Sequence, residues 1–150
     1  MAYSQEYDAH RQKIEKYKAK LRDLDSDYKT LQECKKKLRD GSVFLNDLLI
    51  QCGDINKIFD RETIEGKYDS CGITFDNKDN VFENLSNIKT STSSFSSLCD
   101  DVKTQIDQYG TMLDGYCIDI AKEAQEVSNI ISSFEAQSIY LMNPEPPNGG

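Results

Sequence analysis

The chain lacks tryptophan, has one histidine, and keeps its three prolines within the tail at residues 143–150. That tail cannot continue a helix, and we expect it to be disordered. No apolar run approaches the roughly 20 residues that a membrane span needs. The start, MAYSQEYDAHRQK, has no apolar signal-peptide core. We therefore expect a soluble chain that is made in the cytoplasm and does not use the general secretory route.

Catalytic and metal-binding motifs are also missing. The sequence contains no phosphate-binding loop, no dinucleotide fingerprint and no H-E-x-x-H pair. None of its five cysteines forms a C-x-x-C pair, and a Cys/His metal site or nucleophile would have to rely on His10 alone. We expect no enzymatic activity, no metal and no cofactor.

Charge is unevenly distributed along the chain. The net charge is −8, yet residues 1–40 hold 11 basic and 8 acidic side chains, so the acidic excess lies in the remainder. An acidic chain is a poor candidate for binding nucleic acid. A basic half followed by an acidic half suits an antiparallel arrangement of the two.

Apolar residues recur at alternating steps of three and four, which indicates long helices packed lengthwise. In the first stretch the d sites are Tyr3, His10, Tyr17, Leu24, Leu31, Leu38, Leu45, Cys52 and Phe59, and the a sites include Tyr7, Ile14, Leu21, Tyr28 and Leu49. In the second stretch one series is Val81, Ile88, Phe95, Val102, Tyr109, Tyr116, Glu123 and Ile130 (the Val81 series). The other is Leu85, Thr92, Cys99, Ile106, Leu113, Ile120, Val127 and Phe134 (the Leu85 series).

These stretches predict an all-α fold, an elongated antiparallel two-helix hairpin of coiled-coil type. We expect helices near 5–59 and 80–141, joined by a connection at 60–79 that contains at most one short helical turn. Asn80, with Glu83 three residues later, predicts the N-cap of the second helix. A turn centred near Tyr68 places Tyr17 opposite Ile120.

A two-helix hairpin leaves some apolar residues unused. The predicted seam is the line of a and d sites along which the two helices pack. Several apolar residues near the turn lie off this seam: Val43, Phe44, Leu48, Ile50, Ile55, Ile58 and Phe82. A helix that is apolar on two sides expects two neighbours. We predict that Phe44, Leu48, Ile55 and Phe82 bind a partner helix or a second copy of the chain. The alternative is that the connection folds back and covers them.

The layout of a long Tyr-rich first helix, a turn with glycine and a second long helix resembles the WXG-like superfamily of type VII secretion. Within it the chain looks like the YwqH-like helical proteins that accompany LXG toxins in Gram-positive bacteria. Ile64-Glu65-Gly66, followed by Lys67 and Tyr68, stands at the W-x-G turn, with Ile64 in place of the Trp. Phe75 and Asp79 spell F-x-x-x-D, a form of export signal, but they precede the second helix.

The resemblance implies a non-enzymatic adaptor that binds the N-terminal LXG domain of a toxin, often beside a second small helical protein. It also implies a cytoplasmic chain that a type VII secretion system can export with its toxin. Two other functions fit the pattern. One is a prefoldin-like holdase, in which 72–76 would form a strand, and the other is a structural coiled-coil subunit that associates with itself.

Overall fold

A computed structural model describes residues 2–71 and 78–142 of the chain. These residues form three helices and no strand: α1 (Ala2–Ile58), α2 (Arg61–Cys71) and α3 (Lys78–Met142). The predicted all-α class is confirmed. Within the described ranges, no helix is long and apolar enough to cross a membrane. The predicted disorder of the tail and the alternative strand at 72–76 fall outside these ranges.

The connection is more helical than the sequence predicts, because the 11-residue helix α2 occupies most of it. α1 ends at Ile58, and Asp60 caps the new helix. The Asp60 carboxylate accepts hydrogen bonds from the backbone N–H groups of Glu62 and Thr63. The backbone carbonyl oxygen of Asp60 accepts a hydrogen bond from the backbone N–H of Ile64, at 3.1 Å. The chain therefore bends at 59–60 and resumes as a helix.

Two local predictions about the connection are wrong. α3 already begins at Lys78, so Asn80 lies inside the helix and is not its N-cap. Gly66 lies inside α2 and does not adopt a positive φ, so it does not reverse the chain. A Cβ added there would meet nothing within 4 Å.

The chain divides into two compact units, each of which contains part of α1 and part of α3. The first unit comprises Met1–Lys35 and Met112–Gly150. Its core is a cluster of four buried residues, Ile14, Leu24, Val127 and Ile131. Tyr17, Leu21, Ile120, Ala124 and Phe134 pack around this cluster.

Contacts in the first unit run in opposite directions along the two helices. Lys18 pairs with Glu135 at 2.9 Å, and Lys35 pairs with Asp114. The Tyr17 ring stacks on Phe134 with centroids 5.8 Å apart. Phe134 lies about four turns beyond Ile120, which the sequence had placed opposite Tyr17. The predicted register is therefore wrong.

The physical reason lies in α2. The chain does not reverse near Tyr68, because helix α2 continues to Cys71. In an antiparallel pair, the numbers of two facing residues add up to twice the number at the centre of the turn. A turn that lies one residue later therefore shifts the residue that faces a given position by two. Facing positions are therefore displaced by several turns towards the C-terminus.

The second unit comprises Lys36–Thr111, which includes all of α2. Here too the contacts run antiparallel: Asn46 accepts a hydrogen bond from Lys103 at 2.7 Å, and Asp60 pairs with Lys89 at 3.1 Å. Cys52, Phe82 and Cys99 are buried. Gly41 permits a close approach, since a Cβ built on it would lie 3.7 Å from Cδ1 of Ile106.

The seam on α1 largely follows the predicted a and d sites, whereas that on α3 follows only half of its predicted sites. Every residue of the Leu85 series is buried or half-buried, but every residue of the Val81 series is exposed. The other half of the seam lies one residue later in each heptad. Its residues are Phe82, Ser96, Lys103, Gly110, Cys117, Ala124, Ile131 and Ser138, and with the exposed Lys89 they form the Phe82 series.

Candidate interaction surface

The polar pairs of the second unit lie on one flank of its helix pair, here called the polar flank. Asn46 lies on α1, and Asp60, two heptads later, is the residue that precedes α2. Their partners on α3, Lys103 and Lys89, are also two heptads apart and belong to the Phe82 series. Residues spaced by seven share one side of a helix. The Phe82 series therefore faces the polar flank, and the Val81 series lies on the other side of α3.

The opposite flank of the second unit is apolar. On α1, Leu48 and Ile55 follow Gly41 in steps of seven, and Gly41 approaches Ile106. On α3, Val81, Ile88, Phe95, Val102 and Tyr109 occupy the matching position beside the Leu85 series. We call these side chains, together with Phe44 and Leu98, the apolar flank.

The apolar flank is open to solvent along α3. The exposed fraction is 37% at Val81 and 46% at Phe95, and reaches 57% at both Leu98 and Tyr109. Phe44 on α1 is 62% exposed. An aromatic side chain presents about 150–250 Å², so Phe44, Phe95 and Tyr109 together expose on the order of 300 Å². That area is comparable to the largest apolar patch on a typical monomer, about 300–600 Å².

This side of α3 is also uncharged. From residue 84 to residue 111, the Val81 series and the stripe next to it contain no Asp, Glu, Lys or Arg. That neighbouring stripe is Asn84, Ser91, Leu98 and Gln105. Asp101 stands in the following stripe and borders this region, whereas Asp100 and Asp107 lie on the far side of the helix. We call the two uncharged stripes together the uncharged face; it is about 40 Å long at 1.5 Å per residue.

Hydroxyl groups on the side of α3 that is turned away from the Val81 series are bonded within the helix. Ser97, Thr104 and Thr111 donate to the backbone carbonyl oxygens four residues earlier, at 3.0–3.1 Å. Within the stretch of poor helix formers that begins at Thr90, Thr92 donates in the same way to the carbonyl oxygen of Ile88, at 2.8 Å.

The predicted binding residues are only partly brought together. Phe44 is exposed, Leu48 is half-buried and Ile55 lies at the edge of exposure, all on the apolar flank. Phe82 was expected to extend this patch, and that expectation is wrong. Its side chain is 5% exposed and lies under the Arg61 guanidinium, 4.6 Å from the ring centroid.

The residues at the proposed W-x-G turn lie on α2. Ile64 is half-buried and Gly66 is exposed within the helix. The backbone of Tyr68 is helical, and its side chain lies outside the described positions. The cap of α2 is the signal that the sequence analysis missed: Asp60 followed by Glu62 in the first turn is a typical helix start.

A shallow depression of about 520 Å³ lies at this end of the second unit, lined by Asp60, Arg61, Phe82, Glu83 and Lys89 among others. The hydrogen bond from Lys89 holds the pKa of the Asp60 carboxyl below its usual value. Among its lining residues, Asp60 is paired with Lys89, and Arg61 is paired with Glu65 of its own helix. Among the described residues, no group of three or more His, Cys, Asp or Glu could hold a metal ion.

The described cysteines differ in environment. Cys52, Cys99 and Cys117 are buried in the seams of their units, and Cys34 is exposed. Burial raises the pKa of the Cys99 thiol. A buried protonated thiol behaves as a small apolar side chain. The described cysteines therefore supply packing more readily than chemistry.

No model of a known protein family, no curated protein and no solved structure matches this chain. The interaction surface has to be interpreted from its own residues and contacts.

Proposed function

We propose that this chain is a non-catalytic helical adaptor that binds the N-terminal helical domain of an LXG toxin and promotes its type VII export. The observation that carries the proposal is the exposed apolar flank of the second unit. A helix with an apolar stripe left outside its own pair favours a further helix as neighbour. The resemblance of the sequence to the accessory proteins of LXG toxins supplies the identity of that neighbour.

The α1 part of the flank defines where the toxin docks. Phe44, Leu48 and Ile55 lie on one side of α1, and α2 leaves Phe44 largely exposed. The alternative that the connection covers this patch is therefore disfavoured at Phe44. Large apolar anchors typically contribute 2 kcal/mol or more each to an interface.

The elongated antiparallel hairpin predicted from the heptads belongs to this proposal, since it would offer the toxin a long helical surface. Small-angle scattering of the purified chain tests that shape. The proposal also places the chain in the cytoplasm and, with its toxin, among the exported products of the secretion system.

The decisive experiment is co-purification with the LXG domain of a toxin from the same cells. Replacing Phe44 and Leu48 together with Ser should keep the helical circular dichroism spectrum and abolish the complex. The matched control replaces Val43 and Ile50 with Ser, because both are exposed on another side of α1. The control should bind as the wild type does.

Two results would contradict the proposal. One is equal loss of binding in the control, which would mean that any apolar residue on α1 suffices. The other is full binding by the Phe44/Leu48 variant. Export is tested by assaying the culture medium of cells with and without this chain, and unchanged toxin release in its absence would remove the export role.

A further inference from the structure

Two buried cysteines lie in the seam of the second unit, one on each long helix. We propose that Cys52 of α1 and Cys99 of α3 form a disulfide bond when the chain meets a low-molecular-weight disulfide, and that this bond staples the two helices together. In the structure both are free thiols, and the two residues are only 5% and 4% exposed.

The contacts on either side of the two cysteines define the register between them. Asn46 pairs with Lys103 at 2.7 Å, and Asp60 pairs with Lys89 at 3.1 Å. The two pairs are separated by 14 residues on both segments, so the antiparallel alignment does not slip between them. The cysteine on α1 lies six residues after Asn46, and the cysteine on α3 lies four residues before Lys103. Their offset is therefore two residues, or about 3 Å along the helix axes.

The heptad positions agree with this register. Cys52 is a d site of α1, and Cys99 belongs to the Leu85 series, which faces inward on α3. In the first unit, Tyr17 and Phe134 occupy the same two kinds of position, and their rings stack with centroids 5.8 Å apart. A d site of α1 thus meets the Leu85 series directly, and in the second unit this pairing places one thiol opposite the other.

The geometry of a helix pair suits a disulfide at this position. Packed helix axes lie about 8–10 Å apart and Cα atoms about 2.3 Å from each axis, so facing Cα atoms are roughly 3.5–5.5 Å apart. The axial offset between the two cysteines increases this separation to roughly 4.5–6 Å. A disulfide joins Cα atoms that are about 4.4–6.8 Å apart. The bond can therefore form without displacing the helices.

The surroundings of the thiols keep the pair reduced until an oxidant is supplied. Burial raises the pKa of the Cys99 thiol, and the neighbouring Cys52 raises it further. A negative charge close to a thiol disfavours its ionisation, so this influence agrees with two thiols that lie side by side. Since the thiolate is the reactive form, oxidation should be slow and should proceed when the seam opens locally.

The bond forms in two exchange steps. The thiolate of one cysteine attacks a sulfur atom of the reagent, which gives a mixed disulfide and releases one reagent thiol. The thiolate of the other cysteine then attacks the sulfur of the first cysteine and releases the second reagent thiol. The chain loses two electrons and two protons, and the reagent gains them. An oxidising compartment therefore closes the bond, and a reducing one keeps it open.

The staple acts on the unit that carries the apolar flank. It closes a loop from Cys52 to Cys99 that contains all of α2, and closing a long loop restricts the unfolded chain. The oxidised chain should melt about 5–15 °C above the reduced chain.

Oxidised glutathione tests the proposal on the purified full chain, in a background with Cys34→Ser and Cys71→Ser. The chain is incubated just below its melting temperature, where the seam opens locally. Its intact mass should fall by two hydrogen atoms, and peptide mapping should place the bond between Cys52 and Cys99. The melting temperature by circular dichroism should rise by about 5–15 °C and return to its starting value after reduction.

Cys99→Ala and Cys117→Ala are the matched variants in this background. Cys117 is buried in the same way, at 6% exposure, but its sulfur accepts a hydrogen bond across the seam from the amide of Gln32, at 3.7 Å. Cys117→Ala should keep both the bond and the rise in melting temperature, whereas Cys99→Ala should lose both. Each variant is compared with its own reduced form, so the loss of the buried side chain cancels.

A mixed disulfide with glutathione that never closes would overturn the proposal, because the two sulfur atoms would then not meet. So would thiols that stay unreacted, a bond that maps to Cys117, or a closed bond that lowers the melting temperature. All of these measurements are made on the chain alone. Their failure therefore leaves the adaptor function standing, and the failure of toxin binding leaves the disulfide standing.

Discussion

The adjacent residues Ile130 and Ile131 test which side of α3 faces α1 in the first unit. The heptad pattern places Ile130 in the seam. The structure instead buries Ile131 to 7% exposure in the core cluster and leaves Ile130 37% exposed. Replacing each with Ala in turn removes the same three carbon atoms from the same helix, so the change in helix propensity cancels between the two variants.

The expected magnitudes follow from burial. Three carbons at about 0.8 kcal/mol each give roughly 2.4 kcal/mol for a fully buried side chain. At Ile131 a residual cavity adds to this, so we expect a loss of about 3 kcal/mol. The Ile130 side chain is about two thirds buried, so its truncation should lose about two thirds of the 2.4 kcal/mol for burying three carbons. No cavity forms at this exposed position, so we expect a loss of about 1.5 kcal/mol. The variants should differ in melting temperature by several degrees.

Urea unfolding followed by circular dichroism at equal protein concentration measures both losses. Ile131→Ala should have the lower midpoint, with the urea dependence unchanged. Equal losses, or a larger loss at Ile130, would refute the seam described here and favour the Val81 series that the sequence predicts.

Three further outcomes are expected. Gly66→Ala should stabilise the chain by about 0.5–1 kcal/mol, since the glycine lies inside α2 with open space around it, and a loss on denaturation would mean that a positive φ is needed there. Asp60 has a lowered pKa in the folded chain, so its bond to Lys89 should stabilise fully above the ordinary value of 3.8 and progressively less as the pH falls through the lowered value. The stability difference from Asp60→Asn should shrink over that acidic range, and a pH-independent difference would contradict the pairing. In a Cys71→Ser background, a thiol reagent should modify Cys34 rapidly and the buried Cys99 slowly, and equal rates would show that the seam opens readily.

The helices and half of the α3 seam could be predicted because their signal is local. The Leu85 series is inward at every described position, and so are most a and d sites of α1. The other half of the α3 seam could not be chosen from periodicity alone. Apolar residues flank the Leu85 series on one side, and small ones such as Ser96, Gly110 and Ala124 flank it on the other.

Packing decides between these two sides. The distance between helix axes depends on the side chains at the contact, and small ones let two helices approach. The inward side of α3 is the small one, so the larger Val81 series is displaced outward. A hydrophobicity pattern favours the larger residues and therefore predicts the wrong side.

The connection was misjudged for a different reason. Gly66 and the polar residues around it suggest a turn, whereas the Asp60 cap and the space around Gly66 permit a helix. Tertiary context overrides a propensity difference of about 1 kcal/mol for glycine. The predicted register of the facing pairs depended on this one element.

The absence of charge on the uncharged face of α3 also sets how binding there should respond to conditions. Without electrostatic steering, encounters should proceed at about 10⁵–10⁶ M⁻¹s⁻¹, so the lifetime of a complex would determine its affinity. Ordinary salt should weaken such a complex little, whereas sulfate should strengthen it and cooling should loosen it. A chain that is acidic overall would thus bind through a neutral surface by a temperature-sensitive contact.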